Sequence, residues 1–577
     1  MRTSKKVLAM LLSACLVLSL TAVGIAAYAD NAVFANPGTY TASAAGKNGD
    51  VTVTAEFSED AIVAIEYSGV ETPEIGNAAI ETLIDQVIAN QTLNVDAVSG
   101  ATLSSAAFLT ALTETVEQAG GNLDALSAVV NEEQTVDYVT EADVIVVGAG
   151  GAGLTAAMSA LEKGASVILL EKSSFVGGNT LAAMSGINVA NSQIQKDAGI
   201  EYSVEDFVEM QTNELARVNL ITHLAERSAE TVDWLVSIGA DLAPNASKEF
   251  QVVTTEPGAY TTVKLVETLE NALEATDIQL YLNMEATALV TDEENRVVGV
   301  LATNAKGEEI TFSAKSVVLA TGGFGKDHER VETLVPAYKY VTTDEIAPTT
   351  GDGIDMAVAI GAKTVDMEQI MLHSSVGVGI GMVATGNLPG GKDIKAIVVN
   401  LNGERFGSDG NLKPLSSAIF EQPEGTGVMV FNQEYLSDFL KHYYDLGIVV
   451  SGETAAELAE KLGIDPDTLQ ATVDKWNEDV ANGVDTLFGR ESNLIPLEGT
   501  LCAFKYNPGV HYCMGGILIN EDAQVLDMQE APIVGLYAGG EVTGGVHGNT
   551  RVDGSAVTDT FVFGRIAGQN AADFALQ

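Results

Sequence analysis

Gly148-Ala149-Gly150-Gly151-Ala152-Gly153 follows the apolar run Asp143-Val-Ile-Val-Val147 and opens a helix-patterned stretch, Leu154–Lys163. Glycines at this spacing suit one task, the holding of a diphosphate. Gly148 permits the tight turn, Gly150 lets the backbone approach the pyrophosphate, and Gly153 lets the helix pack on the strand. The helix start adds free N–H groups and a positive dipole end. A second apolar run, Val167-Ile-Leu-Leu170, ends in Glu171, an acid placed to hold ribose hydroxyls. Strand, glycines, helix, strand and acid in this order form a specific dinucleotide signature, where a lone G-x-G-x-x-G would be weak.

The elements around this loop belong to a chain of 577 residues, enough for two or three domains. With 46% hydrophobic residues it buries substantial cores. Its 79 acidic and 29 basic residues give a net charge of −50, which disfavours nucleic acid and anionic membrane as partners. Residues 1–29 carry Arg2, Lys5 and Lys6, an apolar run from Val7 to Ala27, and Ala27-Tyr28-Ala29 before Asp30. This is the layout of a cleavable secretory signal peptide, so the expected location is outside the cytoplasm or in the cell envelope. An uncleaved anchor and a lipid on Cys15, in Leu12-Ser13-Ala14-Cys15, are the alternatives. Past residue 29 the cysteines are Cys502 and Cys513, at a spacing that suits neither zinc nor an iron–sulfur cluster, and C-x-x-C-H is absent. No metal is expected, and the two thiols read as unpaired and partly buried.

Periodicity divides the rest. Val51–Phe57 and Ile62–Tyr67 alternate like paired strands, and Ala78–Ile88 and Ser104–Gln118 read as helices, giving a small α+β unit over 35–118. Gly120-Gly121 and the acidic stretch after it read as a linker, 119–138. The Ser-Gly-Ala-Thr segment ahead of the second helix would cap it on any reading.

Several blocks carry a resemblance. Gly177-Gly178-Asn179-Thr180, Ala320-Thr-Gly322-Gly-Phe-Gly325 and Thr350-Gly-Asp352-Gly353 come first, and His511-Tyr-Cys-Met-Gly-Gly516 follows. Gly540-Glu541-Val-Thr-Gly-Gly-Val-His547-Gly548, Arg551 and Phe563-Gly-Arg-Ile-Ala-Gly568 complete the series. From about residue 142 onward the chain resembles the soluble fumarate reductase/succinate dehydrogenase flavoprotein family, which includes urocanate reductases. The N-terminal unit is similar to the FMN-binding domains of sodium-pumping quinone reductases and flavinylated extracellular reductases. Its motif is Asp96-Ala-Val-Ser-Gly-Ala-Thr102-Leu-Ser104. The resemblance implies an α/β fold: an FAD-binding Rossmann-like domain (139–366 and 506–577) interrupted by an α+β capping domain (367–505) and preceded by the small FMN-binding domain. It implies FAD on Gly148, Gly150, Gly153, Glu171, Asn179, Thr180, Gly322, Asp352, Glu541 and Ser555. It further implies FMN esterified to Thr102, loaded by a separate flavin transferase.

In this family a substrate lies between cap and flavin, takes a hydride at one alkene carbon and is protonated at the other. The resemblance places His373 on the cap, followed by Ser374-Ser375 instead of Pro-Thr, and makes His511 and Arg551 the carboxylate clamp. An arginine suits that task because its fork donates two parallel hydrogen bonds. The proton-delivery residues depart from the pattern. Leu388-Pro-Gly-Gly-Lys392 replaces a Thr-Glu-x-x-Arg segment, and Lys413, after Gly403-Glu-Arg-Phe406, stands near the position of the catalytic arginine. Lys413 reads equally as a solvated loop residue, with Tyr512, Tyr260 and His373 as other donors. Fumarate, with two carboxylates, therefore fits less well than urocanate, a cinnamate-like acid or another enoate.

The expectation is an exported respiratory reductase in which a membrane-linked donor feeds FMN, FMN feeds FAD, and FAD reduces an activated C=C of a small unsaturated carboxylic acid. Two alternatives stand beside it: a dehydrogenase acting oxidatively on a steroid-like or acyl substrate, and a flavin electron carrier.

Overall fold

The computed structural model describes residues 33–46, 50–69, 76–95, 102–123, 126, 138–383 and 385–577. The signal-peptide segment 1–29 with Cys15, the motif residues Asp96–Ala101 and most of the expected linker lie outside the described residues, as do the side chains of Thr102 and Lys413. The chain forms two compact units, Met1–Thr135 and Val136–Gln577.

In the first unit, β1 (Gly38–Ala45), β2 (Asp50–Phe57) and β3 (Ile62–Ser68) make an antiparallel meander. Helices α1 (Ala78–Asn90) and α2 (Thr102–Gln118) cover one face. Alternation in β2 sends Val51, Val53, Ala55 and Phe57 inward against Leu83, Val87, Phe108, Leu112 and Val116. On the outer face Thr41 meets Thr54 at 2.9 Å and Ser43 meets Thr52 at 2.8 Å. Apart from Tyr40, the residues of β1 are Gly, Ala, Ser and Thr, too small to print an apolar alternation in the sequence.

Beside three three-stranded sheets, two large ones, of six and seven strands, frame the second unit. The first has the order β13 (Gln524–Leu526), β14 (Pro532–Ala538), β7 (Ser316–Leu319), β4 (Val144–Val147), β5 (Val167–Leu170), β6 (Gln279–Tyr281). From β14 to β6 neighbouring strands run parallel, and β4, β5 and β7 are buried throughout. Helices α3 (Gly151–Glu162) and α5 (Ser555–Ala575) pack near this sheet almost backbone to backbone. A Cβ at Gly564 would lie 2.6 Å from the Ala152 oxygen, and one at Gly568 2.1 Å from the Ala156 oxygen.

The second sheet has the order β9 (Gly381–Met382), β8 (Ile370–Gly377), β12 (Leu501–Cys513), β11 (Gly427–Asn432), β10 (Ala396–Val399). Thr342–Thr343 and Val450–Gly452 also pair with β12. The expected boundary between residues 505 and 506 falls inside β12. Thirteen residues of continuous, almost wholly buried strand pass from the insertion to the site without a break. The thiols of Cys502 and Cys513 are free, and both are fully buried instead of partly so, because each lies on β12.

The Gly-Glu-Arg405-Phe segment has a structural task. Arg405 forks onto Asp409 at 2.9 and 3.0 Å and onto Asp485 at 3.0 and 2.9 Å. Arg490 reaches Asp409 at 3.1 Å and the Ala396 carbonyl at 2.6 Å. Trp476 lies under both guanidinium groups at 4.6 and 5.3 Å. Asp409 also accepts from the Val398 N–H at 2.9 Å, so the network ties β10 to the loop that leads into α4 (Leu412–Ile419), the helix bearing Lys413. Removing one partner leaves a buried charge, so Asp409→Ala should cost about 3–5 kcal/mol in urea unfolding. Arg405 holds Asp485 at about 2, below its ordinary 3.8. A depressed folded-state value gives stability that is complete above about pH 4 and lost as pH falls toward 2, worth about 2 kcal/mol. Asp485→Asn should remove that part of the acid dependence in unfolding curves measured across this window.

Candidate active site

The carboxyl ends of β4, β7 and β14 all open on one edge of the parallel sheet, the usual ligand edge of such folds. Gly148 turns there with φ +97°, and a Cβ on it would sit 2.4 Å from the Ala320 oxygen. A Cβ on Gly153 would lie 1.7 Å from the Gly148 oxygen. Gly150 precedes α3 in extended conformation, with open space beside it. The loop therefore presents bare backbone at the start of a helix, which fits a pyrophosphate.

The other expected cofactor residues ring this loop. Both Glu171 oxygens accept backbone N–H groups, from Ala149 and from Ser173, each at 2.7 Å. Thr180 Oγ1 accepts from the Gly151 N–H at 3.2 Å. Asn179 accepts from Ile346 at 2.9 Å and turns its amide nitrogen toward Glu345 and Glu541. Gly322, at φ +74°, turns the chain after β7. Asp352 starts a helix, Asp352–Ala359, and is paired with Lys172. Ser555, fully buried at the start of α5, accepts from Asn188 at 2.8 Å and from Gln211. In this structure Asp352 and Ser555 are tied to protein partners on the rim of the cradle.

Among the expected substrate residues, the structure brings His373 and His511 together, with ring centroids 5.6 Å apart. The pairing of β8 with β12 explains this. Met371 faces Tyr512 and Leu372 faces Val510, so His511 is the extra residue of a bulge and its ring is re-aimed. Asp344 holds His511 Nδ1 at 3.0 and 3.2 Å, leaving Nε2 free to face a ligand. His373 Nδ1 accepts from the Ser375 N–H at 3.3 Å, which puts the hydrogen of the neutral ring on Nε2. Burial, then the neighbouring His511, pull the His373 pKa down, so the ring favours this neutral donor form.

Arg551 lies over the Tyr512 ring, 4.6 Å from its centroid. Its Nε is buried without a hydrogen-bond partner, and it forms no ion pair with any described residue. The Tyr512 hydroxyl donates to Asp559 at 3.4 Å, and Asp559 also meets His547 Nε2 at 3.2 Å. Burial pushes the Tyr512 phenol well up, so it is a support for Arg551 more than an acid. Lys413 is placed by its backbone on α4. Tyr260 stands apart, exposed at the rim of a cavity of about 500 Å³ with Lys248 and Asp553.

Asp344, Glu345, His547 and Asp559 are functional candidates that sequence reasoning missed. Asp344 is 167 residues from His511, and no local spacing signals that pairing.

An FAD binding domain model matches residues 143–557 and an FMN-binding domain model matches 46–117. The chain is 37% identical to urocanate reductase of Eggerthella lenta over 93% of this chain and 92% of that protein. It is 38% identical to a probable fumarate reductase of Shewanella frigidimarina over 75% of each chain. A flavocytochrome c3 fumarate reductase in its open conformation superposes with a TM-score of 0.71 at 36% identity, covering 76% of this chain and 80% of that one. Fold and site thus define a flavin-dependent oxidoreductase acting on CH–CH groups, with FAD- and FMN-binding domains on one chain. The chain belongs to the soluble fumarate reductase/succinate dehydrogenase flavoprotein family.

Gly153→Ala should weaken FAD binding at least tenfold, about 1.4 kcal/mol or more, while the N-terminal FMN content stays unchanged. Flavins released from the purified variant and separated by chromatography measure both.

Proposed function

We propose that this protein reduces the activated C=C of a small enoate bearing one carboxylate, of the urocanate or cinnamate type, using electrons that pass from FMN to FAD. Arg551 carries the reading. In a chain with 79 acids, this guanidinium forms no ion pair with a described residue, although Glu541 and Asp553 feel its charge, and its face lies on Tyr512. A cation free of ion pairs, resting on the ring of the residue that follows His511, suits a carboxylate. The urocanate and fumarate reductases among its relatives support the same chemistry.

When bound, reduced FAD supplies the hydride for one alkene carbon. Arg551 grips the carboxylate with two parallel hydrogen bonds and stabilises the negative charge that grows there as hydride arrives. Asp344 fixes the His511 ring, so its Nε2 turns toward the bound acid. Neutral His373 adds an Nε2–H donor with no charge of its own. The proton for the second carbon comes from Lys413 in this reading, because the Thr-Glu-x-x-Arg segment is replaced. Losing that segment's charges is also what argues for one carboxylate and against fumarate.

The proposal extends to the ends of the chain. FMN is esterified to Thr102 by a separate transferase, residues 1–29 export the protein, and a membrane-linked donor supplies the electrons. The oxidative alternative, on a steroid-like or acyl substrate, would use a tyrosine presented to the ligand, but Tyr512 is buried and turned to Asp559.

Reduced holoenzyme mixed with single enoates tests the substrate class by flavin absorbance. Urocanate or a cinnamate should reoxidise it rapidly and fumarate slowly. Fumarate as the fastest acceptor overturns the one-carboxylate reading, and no reaction with any alkene overturns the function. Arg551→Ala should slow reoxidation by about 10²–10³ with both flavins retained. Thr102→Val should abolish the flavin-sized mass increment on denatured protein while FAD content is unaffected.

A further inference from the structure

Two acids of the cofactor edge, Glu345 and the expected FAD residue Glu541, have no proton role in the reaction above, and Cys513 lies with them. Glu345, Cys513 and Glu541 are all buried, and their ligand atoms lie within 4.8 Å of one another. Two glycines make the room. A Cβ on Gly323 would stand 2.7 Å from Glu541 Oε1, and one on Gly325 would stand 2.3 Å from Glu345 Oε1. The Asn179 amide bridges the two carboxyl groups, at 3.5 Å to Glu345 and 3.4 Å to Glu541. Backbone N–H groups complete the shell, Gly325 to Glu345 at 3.2 Å and Cys513 to Glu541 at 2.9 Å. Neither carboxyl forms an ion pair with a described cation.

Two carboxylates this close and this dry do not both ionise, because each negative charge raises the cost of the other in a medium that solvates neither. We propose that Glu345 and Glu541 form a proton-binding site that holds one proton while FAD is oxidised and takes up a second when FAD is reduced. The charged groups around the pair are unequally placed. Glu345 faces Glu541 and Asp344, whereas Glu541 also feels Arg551 and His511, and Cys513 feels Arg330. Burial first, then these acidic neighbours, drive the Glu345 pKa well up, and burial also raises that of Glu541. Glu345 therefore carries the resident proton and Glu541 is the group left to titrate.

The link to the flavin follows from position. Glu541 stands three residues past the end of β14 at the ligand edge, where Arg551 and His511 lower its pKa. FAD held at this edge would supply hydride to a substrate on Arg551 and His511, the two groups whose charge Glu541 feels. Bound FAD would accept two electrons from an external low-potential dye with one proton from solvent, a net gain of one negative charge. The second proton comes from solvent to Glu541, so the pair becomes neutral as the flavin becomes anionic. This inference requires FAD in its domain and does not depend on which enoate is reduced.

Spectroelectrochemical titration of the full-length, doubly flavinylated protein between pH 5.5 and 8.5 tests it, with FMN as an internal reference. In wild type the FAD midpoint potential should follow two protons per two electrons. In Glu541→Gln it should follow one, with the FMN potential and its slope unchanged. The same FAD slope in both proteins overturns the proposal. Should the variant fail to retain FAD, reduced-minus-oxidised infrared spectra of the wild type decide: a neutral carboxyl band gained on reduction, shifting in D₂O, supports it, and the lack of such a band overturns it.

Discussion

The register of β12 against β8 is the constraint on which the site depends. A regular ladder would alternate side chains strictly, and His511 would take whichever face its parity dictated. The bulge at His511 inserts one unpaired residue, turning that ring to within 5.6 Å of His373 while Tyr512 and Cys513 keep their buried places. The same strand continues to Leu501 through the middle of the second sheet, so any shift of that sheet moves His511 with it. Thr342–Thr343 pairs alongside, which delivers the next residue, Asp344, to His511.

Close backbone approach builds the other half of the site. Gly148 and Gly153 clear the phosphate loop, and Gly564 and Gly568 let α5 settle against α3. The same device recurs at Gly323 and Gly325, but there the space is filled by carboxyl groups. In each case a side chain has been removed so that something polar or backbone can come nearer than van der Waals contact with a Cβ would permit.

Charge is sorted by depth. Two buried cations, Arg405 and Arg490, are locked by Asp409 and Asp485, while the half-buried Arg551 forms no ion pair with a described residue and lies on its aromatic support. The locked set gives the region around β10 and α4 a rigid base, since Arg490 uses all five of its donors and Arg405 four. The clear one retains its capacity for an anion. Locking and clearing serve different ends, and the same residue type does both because partner geometry decides which.

The sequence by itself determined the dinucleotide loop, the parallel-sheet strands around it, the small N-terminal unit and the family blocks. These are local features: glycine spacing, apolar runs and period-two alternation act over a few residues and need no tertiary context. Strand β1 escaped because small residues leave no such period, and the boundary at 505/506 fell within β12 because a strand crossing between two regions carries no break in its pattern. Tertiary structure alone decided what surrounds each site residue. Asp344 meets His511, Asn179 bridges Glu345 to Glu541, and Tyr512 carries Arg551 because sheet pairing and the β12 bulge bring distant segments into hydrogen-bond range. Those contacts fix tautomers, proton occupancy and free valence, and such properties depend on neighbours in space, which chain order does not encode.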